Sequence, residues 1–211
     1  VKKIALLTLA ALVVAVPVAQ AGQHIVGGTK YTGNTIPWWG SYTAGRFHCM
    51  WFQSEINEGG AVSNIEFQVY QCAGGTFNSV DMLLCHSNLS ALTSTYSTNY
   101  AGNTPTKVYT GNYTIPSNLT RDQWFTQCEP TNFTYNNKDN LLFEISWEGR
   151  TSTGANYFWR ANTGQPGRVW ASSKTASSGS LYSGQGEIAR LTIGYEGVNP
   201  TSLGRVKSIF K

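Results

Sequence analysis

Charge is scarce in this chain. Asp, Glu, Lys and Arg make up 12% of its 211 residues, about half the roughly 25% of an ordinary globular protein. The formal charge of +4 is also uneven: Lys2 and Lys3 stand at one end, and Arg205, Lys207 and Lys211 crowd the other. Between residues 22 and 204, ten basic residues face eleven acidic ones. No basic stripe with interleaved aromatics exists, so nucleic acid is not an expected partner. Also missing are a Cys-x-x-Cys pair of the kind zinc sites use and, between 22 and 200, any window with a helical period. A surface this weakly charged is poorly protected against self-association.

The one long apolar run, Ile4 to Val16, is too short for a stop-transfer helix. It follows Lys2 and Lys3, is broken by Pro17, and leads to the small residues Ala19 and Ala21. This is the pattern of a secretory signal over 1–21, with the working protein starting near Gly22. It implies a secreted, extracellular or cell-surface address, with the membrane touched only through the signal. The remainder suits a single domain. All four cysteines, Cys49, Cys72, Cys85 and Cys128, lie in that exported part. An oxidising compartment favours two disulfides, with three connectivities open. Strand parity favours Cys49–Cys128, and the turn expected near Asn78 and Ser79, which Cys72 and Cys85 flank, favours joining those two.

The body reads as β. Phe143, Ile145 and Trp147 alternate with polar or smaller residues, as do Ile65, Phe67 and Val69, then Val80, Met82 and Leu84, then Ala189, Leu191, Ile193 and Tyr195. This two-residue period marks half-buried strands. Weaker candidates are 46–53, 105–110, 122–128, 155–160 and 167–172. About nine short strands with turns between them predict an all-β, two-sheet antiparallel β-sandwich, jelly-roll-like, after the signal peptide. The expected division is a Gly/Thr-rich segment at 22–45, the sandwich at 46–200 with a flexible loop at 173–186, and a basic amphipathic tail at 201–211.

Residues 80–147 carry a resemblance. Leu84-Cys85-His86-Ser87-Asn88-Leu89, Asn99-Tyr100-Ala101-Gly102-Asn103-Thr104-Pro105, Trp124 with Phe133 and Tyr135, and Asp139 to Ile145 are similar to a β-sandwich module of exported bacterial proteins of uncharacterised function. The resemblance implies a fold and an address but no reaction.

Enzymatic chemistry is thinly represented. Ile25-Val26-Gly27-Gly28 and Phe47-His48-Cys49 echo pieces of a trypsin-like protease. No Gly-Asp-Ser-Gly-Gly loop supplies the nucleophile that a triad requires. Glu55, Glu58, Asp81 and Glu144 are the carboxylates a glycosidase pair would draw on, and they read equally well as turn and sheet-face residues. His48-Cys49 and Cys85-His86 lack zinc-site spacing. Asn136, Asn137, Asp139 and Asn140 supply oxygens for calcium, a thin set beside the plainer reading as an Asx-rich turn.

Binding is better represented. Trp38 and Trp39 follow Pro37 outside any strand pattern and, with Tyr157 and Tyr182, are the expected exposed rings for stacking on sugars. Ile25 and Val26 near one end, and Val206, Ile209 and Phe210 near the other, are the expected subunit contacts. The function these features imply is a secreted, non-enzymatic structural subunit of an extracellular or cell-surface assembly, with itself as partner and strand exchange as the means. A carbohydrate-binding module with polysaccharide as partner is the alternative, and a secreted hydrolase the third reading. No cofactor is expected, calcium apart.

Overall fold

The computed structural model describes residues 21–151 and 154–194. The expected signal, apart from Ala21, lies outside the described residues, as do Tyr195 and the tail with Val206, Ile209 and Phe210. The chain is all-β. In order, its strands are β1 (Gly22–Val26), β2 (Thr32–Asn34), β3 (Ala44–Trp51), β4 (Gly60–Gln71), β5 (Gly75–Ser87), β6 (Thr106–Ile115), β7 (Trp124–Cys128), β8 (Thr134–Tyr135), β9 (Asn140–Glu148), β10 (Tyr157–Ala171), β11 (Ser180–Glu187) and β12 (Ala189–Gly194). Two single helical turns interrupt them, α1 (Gln53–Ile56) and α2 (Tyr96–Asn99). Hydrogen bonds join the strands into one large antiparallel sheet. Its path runs β1-β12-β4-β10-β3-β9-β5-β6, with β7 and β8 on β4, and β2 and β11 on β10.

Alternation explains which face each strand buries. On β9, Leu141, Phe143, Ile145 and Trp147 enter the main core, as Phe47, Cys49 and Trp51 do on β3. The sheet curls so that strands far apart on its path meet across that core. Phe67 of β4 lies 6.1 Å from Phe143 of β9, and the Tyr113 hydroxyl of β6 donates to the Thr126 carbonyl of β7 at 2.5 Å. Irregularities tune the pattern. Phe77 and Val80 are three apart yet both point inward, because the register shifts between them at Ser79, whose φ is 48°. A similar shift opposite Ile65 and Glu66 puts Cys128 in the core while Trp124 faces outward under the Arg190 guanidinium.

Several expectations change. Part of the expected loop 173–186 is strand β11, paired along β10 through two register shifts near Gly164 and Gly167. The 22–45 segment contributes β1 and β2 and buries Val26, Ile36 and Trp38 in the main core. The four cysteines are free thiols, so neither expected bridge is made. Cys72 is half-buried at the margin of the main core and donates to Asn156 Oδ1 at 3.0 Å. Cys85 belongs to a second apolar cluster on the outer face with Met50, Leu92, Tyr96, Leu142 and Val169. Cys49 and Cys128 share the main core on separate strands, Cys49 beside Arg168 and Cys128 beside Ile65.

Candidate functional site

The densest group of titratable side chains lies on the outer face of β3 and β9. Arg46 and His48 alternate with the core residues of β3, and Glu144 faces His48 across the strand pair. The Arg46 guanidinium donates to both Glu144 oxygens, at 3.1 and 3.0 Å. His48 Nε2 donates to Glu144 Oε2 at 2.5 Å, and its Nδ1 faces the Asn99 amide at 3.4 Å. That pair of contacts fits a neutral imidazole with the proton on Nε2. The Tyr100 hydroxyl also donates to Glu144 and accepts from Arg46 Nη2 at 2.9 Å. Burial pushes the Glu144 carboxyl up, but its bonds to His48 and Arg46 outweigh this and hold it down at about 2. Burial pushes the His48 imidazole down, so it stays neutral. Burial, then Glu144, pushes the Tyr100 phenol up and keeps it a donor.

Two segments close over this network. Tyr96 of α2 donates to the Arg46 carbonyl at 2.7 Å, lies under its guanidinium, and stacks edge-on against His48. Arg46 Nη1 reaches the Ala176 carbonyl at 2.8 Å, and a bridge from Thr95 to Ser178 ties the two segments together. His48 is 0% exposed and Glu144 4%. A general base acts on its substrate directly or through one water, and as the segments lie His48 has no solvent contact and Glu144 almost none. The dyad clamps the outer segments to the sheet.

The other carboxylates are equally engaged. Glu55 accepts from the Phe52 N–H at the start of α1 and from Gln165. Glu58 bonds His24 at 2.8 Å. Asp81 pairs with Lys107 and Lys174 at 2.8 and 2.9 Å; burial raises its pKa, but these partners hold it at about 2. Asp81 lies opposite Ser146 and so shares the outer face of β5 and β9 with Glu144, two residues along in register, and each of the two carboxylates is held by its own cations. His48 and Cys49 point to opposite faces of β3, which removes them as joint zinc ligands. Among the described residues no group of three or more His, Cys, Asp or Glu could hold a metal. In the Asx-rich turn, Asn136 Oδ1 accepts from the Lys138 and Asp139 N–H groups, Asp139 Oδ2 from the Asn136 amide, Asn137 Oδ1 from Gln53 and Asn140 Oδ1 from the Gln53 N–H. These bonds fit the Asx-rich turn.

The four expected sugar-stacking rings do not share a surface. Trp38 is fully buried, stacked on Tyr113 at 4.8 Å with its indole N–H on Gln127 Oε1 at 2.8 Å. Trp39 is half-buried against Tyr42, and Tyr182 lies under Arg168. Tyr157 is the exception. On the outer face of β4 and β10 it neighbours Tyr70, which meets Trp159 edge-on at 4.8 Å. The Arg121 guanidinium lies 4.2 Å from the Tyr70 ring and 4.8 Å from Trp159, and Lys30 lies 5.5 Å from Trp159. This aromatic ledge is a surface where rings and cations meet. Its strand residues were recoverable from sequence: Phe158 points inward, so Tyr157 and Trp159 must point out.

The remaining surface feature is the β1 edge. Among the described residues β1 pairs with β12 alone. Ile25 is 65% exposed on it, whereas Val26 is buried in its own core and unavailable as a subunit contact. No family model, curated protein or solved structure matches the chain.

Proposed function

We propose that this protein is a secreted, non-enzymatic structural subunit of an extracellular or cell-surface assembly, formed by edge-to-edge contact between copies. The β1 edge, which carries Ile25 and has no second strand partner among the described residues, is the observation that carries this reading. Natural edge strands are usually blunted by Lys, Pro or a bulge, and β1, Gly-Gln-His-Ile-Val, has none of these. The opposite edge, β6, bears two register shifts and Lys107, whose carbonyl is covered by Asn132. The same reading takes the curled sheet as two packed layers, a jelly-roll-like sandwich akin to exported bacterial modules, with Phe67 against Phe143 as a contact between layers.

The magnitudes suggest a weak contact made strong by repetition. A neighbour pairing along β1 would add about four main-chain hydrogen bonds at roughly 1 kcal/mol each. Covering Ile25 would add roughly 1–2 kcal/mol. Association costs at least about 4 kcal/mol, so one edge alone gives little net affinity, and assembly needs high local concentration or several contacts. Ile25→Lys places a charge on the edge and should raise the concentration threshold for large species at least about tenfold. Light scattering after size exclusion, with negative-stain microscopy, measures this. Assembly of the variant at the wild-type threshold would remove β1 as the contact.

A second reading has its own observation. The ledge of Tyr70, Tyr157 and Trp159 supports carbohydrate binding by ring stacking, at a face that Trp38 does not reach.

A further inference from the structure

The ledge holds a cation in an unusual position. Arg121 stands in a turn, with the Gln123 N–H on the Thr120 carbonyl at 3.2 Å and Asp122 left-handed at φ 67°. That turn is fastened to β4 on both sides: Asp122 N–H donates to the Val69 carbonyl at 2.8 Å, and Val69 N–H to the Gln123 carbonyl at 2.9 Å. The Gln68 amide holds the Asp122 carbonyl at 3.0 Å. The rings beneath are equally fixed. Gly33 has no side chain, and a Cβ there would come within 2.4 Å of Tyr70 ring carbons, so the ring lies directly on the β2 backbone.

The two cations of the ledge differ in what remains for a ligand. Lys30 is paired with Asp122 at 2.9 Å. Arg121 is exposed, and its guanidinium nitrogens have no hydrogen-bond acceptor among the described residues. Its guanidinium carbon lies 4.2 Å from the centre of Tyr70 and 4.8 Å from that of Trp159, two rings set at 82° to each other, so the group sits in the angle between them with its exposed side toward solvent. A guanidinium held in this way has little orientational freedom left to lose, and its donor pattern matches a carboxylate bidentately. The local sum of Arg121, Lys30 and Asp122 is one positive charge. An anionic ligand with a flat apolar ring face complements this surface.

We propose that the ledge binds a carboxylated polysaccharide, with Arg121 gripping a uronate carboxylate while the neighbouring Tyr157 carries the sugar face. The proposal rests on the carbohydrate reading of the same ledge and adds its ligand class. A neutral sugar would leave the Arg121 fork bonded to water and gain only the stacking.

Matched probes separate the two. The full chain is run by affinity electrophoresis against polygalacturonate and against its methyl-esterified form, which keeps the sugars and removes the charge. Retardation is expected with the first, and at least about tenfold weaker binding with the second. Arg121→Gln should lose at least about tenfold on polygalacturonate with an unchanged melting temperature. Arg121→Lys, a point charge without the fork, should fall between. Lys138→Gln, an exposed cation elsewhere, should bind as wild type. Should Arg121→Gln unfold, the comparison of Arg121→Lys with wild type still reads the fork. Equal binding of both polymers overturns the carboxylate inference and leaves the carbohydrate reading standing, whereas binding of neither overturns both. A loss in Lys138→Gln matching that in Arg121→Gln would show diffuse charge attraction and overturn the proposal. So would equal retardation by a single-stranded oligonucleotide.

Discussion

Replacing Glu144 by Gln keeps the size of the side chain and removes its charge. In the wild type, one carboxylate accepts two bonds from Arg46, one from His48 and one from Tyr100. An amide has one acceptor oxygen, and its NH2 group would face donors. Two independent magnitudes bound the cost. The carboxyl is held near about 2 in the folded state against 4.5 as its ordinary value, and at roughly 1.4 kcal/mol per unit this corresponds to about 3 kcal/mol at neutral pH. Breaking a buried ion pair by removing one partner typically costs about 3–5 kcal/mol. Arg46 keeps some solvent contact, with 18% of its side chain exposed, and His48 contributes a hydrogen bond rather than a charge. The lower end, about 3 kcal/mol, is therefore expected. For a domain of this size that lowers the melting temperature by roughly 6–12 °C.

The pH dependence is the sharper arm. A depressed folded pKa gives stability that is complete above the unfolded value and is lost as pH falls through the folded one. The wild-type advantage over Glu144→Gln should therefore hold at pH 7 and shrink between pH 4.5 and about 2. His48 adds to the acid sensitivity of the wild type. Its folded pKa is lowered from 6.5, so the unfolded chain binds a proton that the folded chain refuses, and stability declines as pH drops below 6.5. Urea unfolding of both proteins at pH 7, 5 and 3 measures each term. A cost under about 0.5 kcal/mol at pH 7, the scatter of an ordinary surface substitution, or a cost that does not change between pH 5 and 3, would refute the clamp.

Two further outcomes test the interior. Alkylation of the denatured, unreduced protein should label all four cysteines, and in the folded protein half-buried Cys72 should react ahead of Cys49 and Cys128; finding two or four cysteines protected in the denatured state would mean bridges that this fold does not make. Gly45→Ala should destabilise by roughly 1–3 kcal/mol, because a Cβ there would lie 2.2 Å from the Trp170 ring and 3.0 Å from Trp147; wild-type stability with unchanged tryptophan fluorescence would show that the two rings can yield.

Strand interiors were legible in the sequence because alternation is local. Phe143, Ile145 and Trp147 read as inward from their spacing and are inward. What defeated the reading was displacement of that spacing. Extra residues on β7 put Gln127 in the core beside Trp38. The expectation that Trp38 is exposed rested on its lying outside any strand pattern, yet a buried Trp needs only a partner for its N–H. That partner, Gln127, is 89 residues away. The clamp was hidden for a related reason. Glu144 sits at outward parity and reads as solvated, because nothing in a strand's own sequence announces that a distant segment, with Tyr100 44 residues away, will cover its outer face. The ledge was half legible: Tyr157 was found, but Arg121 depends on a turn fastened to β4.

The scarcity of charge becomes sharper once the pairs are known. Arg46 is tied to Glu144, Arg168 to Glu187, Arg190 to Glu66, Lys30 to Asp122, and Lys107 and Lys174 to Asp81. Charges satisfied by a neighbour offer little long-range repulsion between copies, so the surface resists self-association even less than its composition implies. Arg121 lies beside the Tyr70 and Trp159 rings with no acceptor among the described residues. The two proposed activities therefore answer to different forces. Contact along β1 draws on main-chain hydrogen bonds and the burial of Ile25, which salt hardly weakens. A grip on a polyanion by exposed Arg121 draws on charge, which salt screens within about 8 Å at physiological strength. A protein that assembles through one edge and presents an aromatic ledge elsewhere on its sheet can do both at once, and each new copy then adds another ledge to the same polymer, so weak single contacts strengthen by repetition.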